Sequence, residues 1–298
     1  MDIETILNDI KSDKIKKVII DTDAANELDD QFAIAYAVGA KKIDVLSINA
    51  THFSHNGSDL KEGMEKSYEE IKRVLKSCGK ERTVPVFKGS YTSMDVTGGV
   101  PIESPAVENI INTALFSDDI VYILGIGAAT NIASAIALCP EIKDKIVVIW
   151  LGCNDINQRD IEEYNLVQDF MAGKFLLDSK VPLILCPALF VTSVLKADIS
   201  EFKMRLFGKN GVKKLLWELI NLHWNLAGKP KKYERTIWDI AAVSLLSVPS
   251  CATFKVISSP LILRNRTFSF DESRHLIIYL EKLDRDSIYS DMWAALEF

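Results

Sequence analysis

The chain has 298 residues, of which 48% are hydrophobic and 26% charged, and Gly and Pro together number only 23. That composition excludes a disordered, collagen-like or low-complexity protein and allows a large core. Acidic side chains exceed basic ones by 41 to 35, a net charge of -6, so no global field draws the protein onto nucleic acid or anionic lipid, and a small-molecule partner is the better expectation.

In chain order, the run Lys17 to Asp21 predicts a strand, Gln31 to Val38 a helix and Ile43 to Asn49 a second strand. A strand, helix, strand unit needs a crossover and so favours parallel pairing. The alternation goes on with a charged amphipathic helix over Asp59 to Lys76, a strand Val84 to Phe87, a helix Pro105 to Phe116, a strand Ile120 to Ile126, a helix Asn131 to Leu138 and an apolar strand Ile146 to Leu151. Strand Pro182 to Leu185 follows, then helices over Val212 to Ala227 and around Trp238 to Leu246. The last forty residues read as strands, Ile277 to Leu280 the clearest. The expected fold is α/β: a mostly parallel open sheet with helices on both faces and a helix-rich C-terminal part, in a single domain over residues 1–298.

No apolar stretch is long enough to span a bilayer, and Met1 to Lys17 lacks the apolar core of a secretory signal. Five dispersed cysteines, Cys78, Cys139, Cys153, Cys186 and Cys251, form no CxxC pair and read as reduced and mostly buried. A cytoplasmic location is expected.

The chemistry concentrates after the first strand. Asp21-Thr22-Asp23-Ala24-Ala25-Asn26-Glu27-Leu28-Asp29-Asp30 packs five carboxylates into ten residues. Open α/β sheets bind ligands at this edge. Carboxylates so close need either full solvation at a helix N-terminus or a cation, and oxygen-only ligands suit Ca²⁺ or Mg²⁺ better than zinc. Gly125 to Asn131, Asn154 to Asn165 and Trp238-Asp239 place further polar groups beyond strand ends or at helix starts, where a parallel sheet gathers them.

Asp21-Thr22-Asp23 with Asp29-Asp30, Gly127 to Ala133, Asn157 followed by Glu163-Tyr164-Asn165, and Asp239 together resemble the inosine-uridine-preferring nucleoside hydrolase family. The resemblance implies one Ca²⁺ at the sheet edge and cleavage of the N-glycosidic bond of a ribonucleoside or related N-ribosyl compound. It implies that Asp23 is a calcium ligand and the base for the attacking water, that Asp30 and Asp239 are carboxylate ligands, and that the carbonyl of Ile126 adds a backbone oxygen. Asp29, Asn157, Glu163 and Asn165 would hydrogen-bond the sugar. Asp21 would hold the loop, and Asn131 would cap the helix that follows it. Relatives are often dimers or tetramers, so a homodimer or homotetramer is expected, with the Val212 to Ala227 helix as a candidate contact.

Three departures from the family pattern stand out. Five residues, Ala24 to Leu28, replace the usual three before the Asp pair, which brings Asn26 and Glu27 to the site as sugar contacts or helix caps. Trp238 replaces the usual His before the metal Asp; an indole N–H donates a hydrogen bond but no proton, so Trp238 either stacks on the base or fills the pocket. His52, His55, His223 and Glu27 are the candidate replacement acids, and Asn56 is the candidate for the family's ribose-binding Asn. Cys153 stands where a Gly is common. Two competing functions remain: a nucleoside- or ribose-binding protein of the same fold with weak catalysis, and a Mg²⁺ phosphohydrolase, which lacks a phosphate-cradling Gly-rich loop.

Overall fold

The computed structural model describes residues 1–55, 57–158, 160–263 and 265–297. The strands in chain order are β1 (Lys16–Thr22), β2 (Ile43–Ala50), β3 (Val86–Lys88), β4 (Val121–Gly125), β5 (Ile146–Leu151), β6 (Leu183–Cys186), β7 (Lys196–Asp198), β8 (Glu234–Thr236), β9 (Ala252–Ser258), β10 (Leu261–Ile262), β11 (Phe268–Ser269) and β12 (Leu276–Leu283). Among the described residues, eight of them form one sheet in the order β3-β2-β1-β4-β5-β6-β12-β9. All neighbours are parallel except the last pair, β12 and β9. The short β7–β8 and β10–β11 ribbons are antiparallel.

Alternate side chains of the central strands enter opposite cores. Val18, Ile20, Tyr122, Leu124, Val147 and Ile149 join one apolar cluster, while Ile19, Val121, Ile123, Ile146, Val148 and Trp150 join the other. The period of two along a strand produces this division, and both faces must be covered for it to be stable. Helices Asp29–Gly39, Leu60–Ser77, Gly211–Leu226, Ile240–Ser247 and Arg285–Ala295 cover the first face; Pro105–Phe116, Thr130–Leu138 and Phe170–Asp178 cover the second.

From β1 the chain builds outward through β2 and β3 on one side, then returns to β4 and builds through β5 and β6 on the other. The order reverses between β1 and β4, so the loops leaving these two strands diverge to opposite faces and open a crevice at their C-terminal ends. Asp23 and Ile126 stand directly beyond Thr22 and Gly125, at the head of that crevice.

The last forty residues are not all strand. Helix Arg285–Ala295 closes the chain, capped by Asp284, which accepts from the backbone N–H groups of Asp286 and Ser287. Helices Ile3–Lys11 and Phe170–Asp178 also form where no element was expected; the latter is capped by Asp169. The Gly211–Leu226 helix turns Val212, Leu215, Leu216 and Ile220 inward, leaving Leu222 and Leu226 exposed near its end. The five cysteines are free and buried, and among the described residues no helix is long and apolar enough to cross a membrane.

Gly63, inside the Leu60–Ser77 helix, lets that helix touch the loop after β2: a Cβ there would lie 2.0 Å from the carbonyl oxygen of Phe53. In a free helix Gly→Ala stabilises by about 1 kcal/mol. Here the sign reverses, and Gly63→Ala is expected to lower stability by about 1–3 kcal/mol in denaturant unfolding, as overpacking does elsewhere.

Candidate active site

Beyond β1 the chain turns tightly, the N–H of Asn26 donating to the carbonyl of Asp23 over 2.7 Å, before helix Asp29–Gly39 begins. Asp29 and Asp30 occupy its first turn, where unpaired backbone N–H groups and the dipole favour anions. Asp239 enters from the other end of the sequence, at the start of helix Ile240–Ser247. One carboxylate oxygen from each of Asp29, Asp30 and Asp239 lies within 4.8 Å of the others, and all three residues are buried. Asp23 is 1% exposed and its Oδ2 has no hydrogen-bond partner.

Burial pushes the carboxyls of Asp23, Asp30 and Asp239 well above the usual range, and the charges of neighbouring carboxylates, Asp29 acting on all three, push them further. Asp29 rises to about 7, chiefly from burial and then from Glu27, with Arg235 opposing. At an effective dielectric of about 20, two unit charges 4.8 Å apart repel by about 3.5 kcal/mol. Three such pairs amount to about 10 kcal/mol, comparable to the whole stability of a domain. The carboxylates therefore need protons or a cation. An all-oxygen, buried, multiply anionic donor set with an orphaned Asp23 oxygen fits a hard divalent cation and not zinc.

The loops are locked from beneath. Asp21 Oδ1 accepts from Asn131 Nδ2 at 3.0 Å, and the same amide donates to the carbonyl of Ala50, while Asn131 Oδ1 accepts from the N–H of Ser90. Asn131 is thus not the expected helix cap: the cap position is Ala129, and Asn131 instead ties together the segments leaving β1, β2 and β3. Burial raises Asp21 to about 7, partly offset by its amide bonds. Gly127 approaches so closely that a Cβ would lie 3.1 Å from Asp23 Oδ1 and 2.5 Å from Thr51 Cγ2.

The crevice is a cavity of about 310 Å³, enough for a small ligand. Asp23, Asn26, Asp29, Asp30, Ile126, Glu163, Asn165, Trp238 and Asp239 all line it, as the sequence placed them. Asn157 does not. Its side chain is exposed and donates to Asp155 Oδ1 at 2.9 Å in a local turn. Asn154, 3% exposed and anchored by its Nδ2 to the carbonyl of Asp160, lines the wall in its place. Asn56 lies outside the described residues.

Glu163 caps the helix Tyr164–Gln168, its two oxygens accepting from the N–H groups of Asn165, Leu166 and Cys153 at 2.9, 3.1 and 3.0 Å. Burial still holds its carboxyl at about 7. Cys153 has φ +65°, the left-handed region that favours glycine; the hydrogen bond from its N–H to Glu163 holds it there. Asn165 Nδ2 donates to the carbonyl of Leu151 at the end of β5.

Of the candidate acids, Glu27 alone lines the cavity, and it is ion-paired with Arg235. His52 is wholly buried, joined at 2.8 Å to Thr130, which donates to Asp169; burial lowers it to about 4. His55 is exposed with its ring against Tyr164, and His223 sits on the Gly211–Leu226 helix outside the lining. The Arg235 guanidinium lies over the Trp238 ring, 5.7 Å from its centroid. Sequence reasoning passed over Asn154, Asp160, Glu162 and Tyr164 as lining residues. All four lie in the polar stretch between Asn154 and Asn165, which was a visible signal.

An open parallel sheet with a buried carboxylate nest at its switch point places this chain among α/β proteins that carry a small-ligand crevice at the carboxyl ends of their strands. The sequence profile of the inosine-uridine preferring nucleoside hydrolase family matches residues 18–277. The chain belongs to that family and is an N-glycosyl hydrolase acting on nucleosides. Its fold is shared with a plant nucleoside hydrolase (TM-score 0.75, 16% identity, covering 95% of this chain and 99% of that one). It is shared too with a purine-preferring ribonucleoside hydrolase from Gardnerella vaginalis (TM-score 0.73, 20% identity, 94% and 98%). An inosine-guanosine nucleoside hydrolase is similarly close (TM-score 0.75, 17% identity, 95% and 99%). No curated protein sequence matches the chain.

Replacing Asn154 and Asn157 separately distinguishes the two. Asn154→Ala should lower kcat/KM by about tenfold or more and Asn157→Ala should leave it within about twofold, the difference between losing a buried hydrogen-bonding group and an exposed one. Steady-state kinetics on any cleaved riboside reads the result.

Proposed function

We propose that the protein is a calcium-dependent hydrolase of ribonucleosides or related N-ribosyl compounds, releasing the base and ribose. The observation that carries this reading is the buried cluster of Asp23, Asp29, Asp30 and Asp239 at the reversal of strand order. Asp23, Asp30, Asp239 and the carbonyl of Ile126 would hold the calcium, and the position of Asp29 makes it a further candidate ligand as well as a sugar contact. When bound, the cation supplies positive charge that acidifies a water and orients a vicinal diol.

Asp23 is the base. Its unpartnered Oδ2 leaves an acceptor free in the cavity wall, where it takes the proton of the attacking water. Asn154 and Asn165 face the cavity with their amides anchored to backbone carbonyls, which orients them to hold sugar hydroxyls without reorganisation. Glu163 contributes negative charge fixed by three N–H donors. Because N-glycoside cleavage passes through an oxocarbenium-like state, carboxylates around the ring favour that state over the neutral ground state. Asn26, whose buried Oδ1 is unpartnered, and Trp238 complete the wall on the side of the enlarged loop.

Asp23→Asn should retain the fold by circular dichroism and cut turnover of p-nitrophenyl riboside by about a thousandfold or more. Near-normal turnover in that variant would remove Asp23 as the base. Calcium at about a hundred times its Kd should raise unfolding stability by about 2.7 kcal/mol. The gain should shrink at pH 5, where protons compete for carboxyls that burial has pushed upward, and should vanish with EDTA or in Asp30→Asn. Thermal unfolding with and without calcium at pH 5 and pH 8 measures it.

A further inference from the structure

We propose that the cavity selects N-ribosides whose glycosidic nitrogen belongs to a cationic aromatic ring, of the ribosylpyridinium kind, over neutral nucleosides. This rests on the hydrolase reading above and names its substrate class.

The first observation is charge. Eight carboxylate side chains line the cavity: Asp23, Glu27, Asp29, Asp30, Asp160, Glu162, Glu163 and Asp239. Among the described residues no Lys, Arg or His lines it. Two guanidinium groups reach the rim from behind, Arg235 paired with Glu27 and Arg266 with Glu162. Two such pairs and one divalent cation still leave the described carboxylates of the wall in excess of the described positive charge. A cavity lined by one sign of charge concentrates ligands of the other.

The second observation is that the titratable side chains among the described residues of the wall are already engaged and leave the departing ring few proton donors. Described histidines lie outside the lining, Glu27 is held by Arg235, and both oxygens of Glu163 are taken by backbone N–H groups. The Tyr164 hydroxyl is turned to the carbonyl of Ser54 and to Nδ1 of His55, each at 3.4 Å. A neutral nucleoside would have to shed its base as an anion into this negative wall. A cationic ring sheds the opposite burden.

In that reaction the water oxygen bonds to C1′ as the C1′–N bond breaks. The bonding pair passes to the ring nitrogen and cancels its positive charge, so a neutral heterocycle leaves, while Asp23 takes the water's proton. No acid is required.

The third observation is Trp238, which lines the cavity and whose ring already holds the Arg235 guanidinium at 5.7 Å. Indole is the aromatic face that attracts cations most strongly.

The test uses the full chain with calcium and three substrates: 1-ribosylpyridinium, inosine and p-nitrophenyl riboside. The expected kcat/KM for 1-ribosylpyridinium exceeds that for inosine by about a hundredfold or more. The double variant Asp160→Asn/Glu162→Gln should lower kcat/KM for the pyridinium by about fivefold or more while p-nitrophenyl riboside, neutral and needing no acid, changes less than about twofold, and Trp238→Leu should lower the pyridinium value by more than it lowers the p-nitrophenyl value. Inosine turned over within about tenfold of the pyridinium, or equal losses for both activated substrates in the variants, overturns the proposal and leaves the hydrolase reading intact. Turnover of none of the three overturns the hydrolase reading itself.

Discussion

Like charges buried together are the constraint around which this molecule is organised. Asp29, Asp30 and Asp239 offer oxygens within 4.8 Å of one another, with Asp23 beside them, in a setting that raises every one of their carboxyls. Such a group is tolerated only where the backbone holds it against its own repulsion. The hydroxyl of Thr22 donates to Asp30, the first turn of a helix lies under Asp29 and Asp30, and Asn131 pins Asp21 to the loops on either side. Each of these contacts stabilises an acid or the turn that carries it. The repulsion is the stored affinity for a cation, since a ligand that removes it is favoured by the same energy that opposes its absence.

That arrangement depends on the sheet. Asp23 and Asp239 are more than two hundred residues apart, yet the reversal between β1 and β4 opens a crevice into which the loop after β1 and the helix after β8 both point. The floor of the crevice is stiff. Trp150, fully buried, donates to the carbonyl of Gly127 at 3.3 Å and packs where Gly125, Gly152 and Gly173 leave room; a Cβ at Gly152 would fall 2.3 Å from its indole. A rigid floor keeps donor and acceptor positions fixed at the scale on which proton transfer is sensitive.

Much of this was legible from residue order. The apolar runs of β1, β2, β4 and β5 and the acidic decad after β1 carry the alternation and the site in local pattern, and parallel topology alone implies that their ends converge. What escaped was whatever depends on register. Asn157 and Asn154 stand three positions apart in a loop, where no periodicity says which side chain faces in; the Asp155 turn sends Asn157 outward. Asn131 looked like a cap because it starts a helix, but its three amide contacts come from segments 41, 81 and 110 residues away. Helix Arg285–Ala295 hid behind a weakly amphipathic pattern and takes its stability from packing Ile288, Tyr289, Met292 and Trp293 against the first core.

The loop after β1 and Trp238 are joined through one guanidinium. Glu27, in that loop, is ion-paired with Arg235, and Arg235 lies over the Trp238 ring. A histidine at position 238 would have supplied a proton to a departing base, and a neighbouring guanidinium would have disfavoured its charged form. An indole beside the same guanidinium loses nothing, since it has no charge to suppress. The loop, the guanidinium and the indole are therefore mutually compatible in a way that the loop, the guanidinium and an imidazolium are not. The indole brings no titratable proton to the wall, while Asp23 and the carboxylate nest keep their places around the crevice.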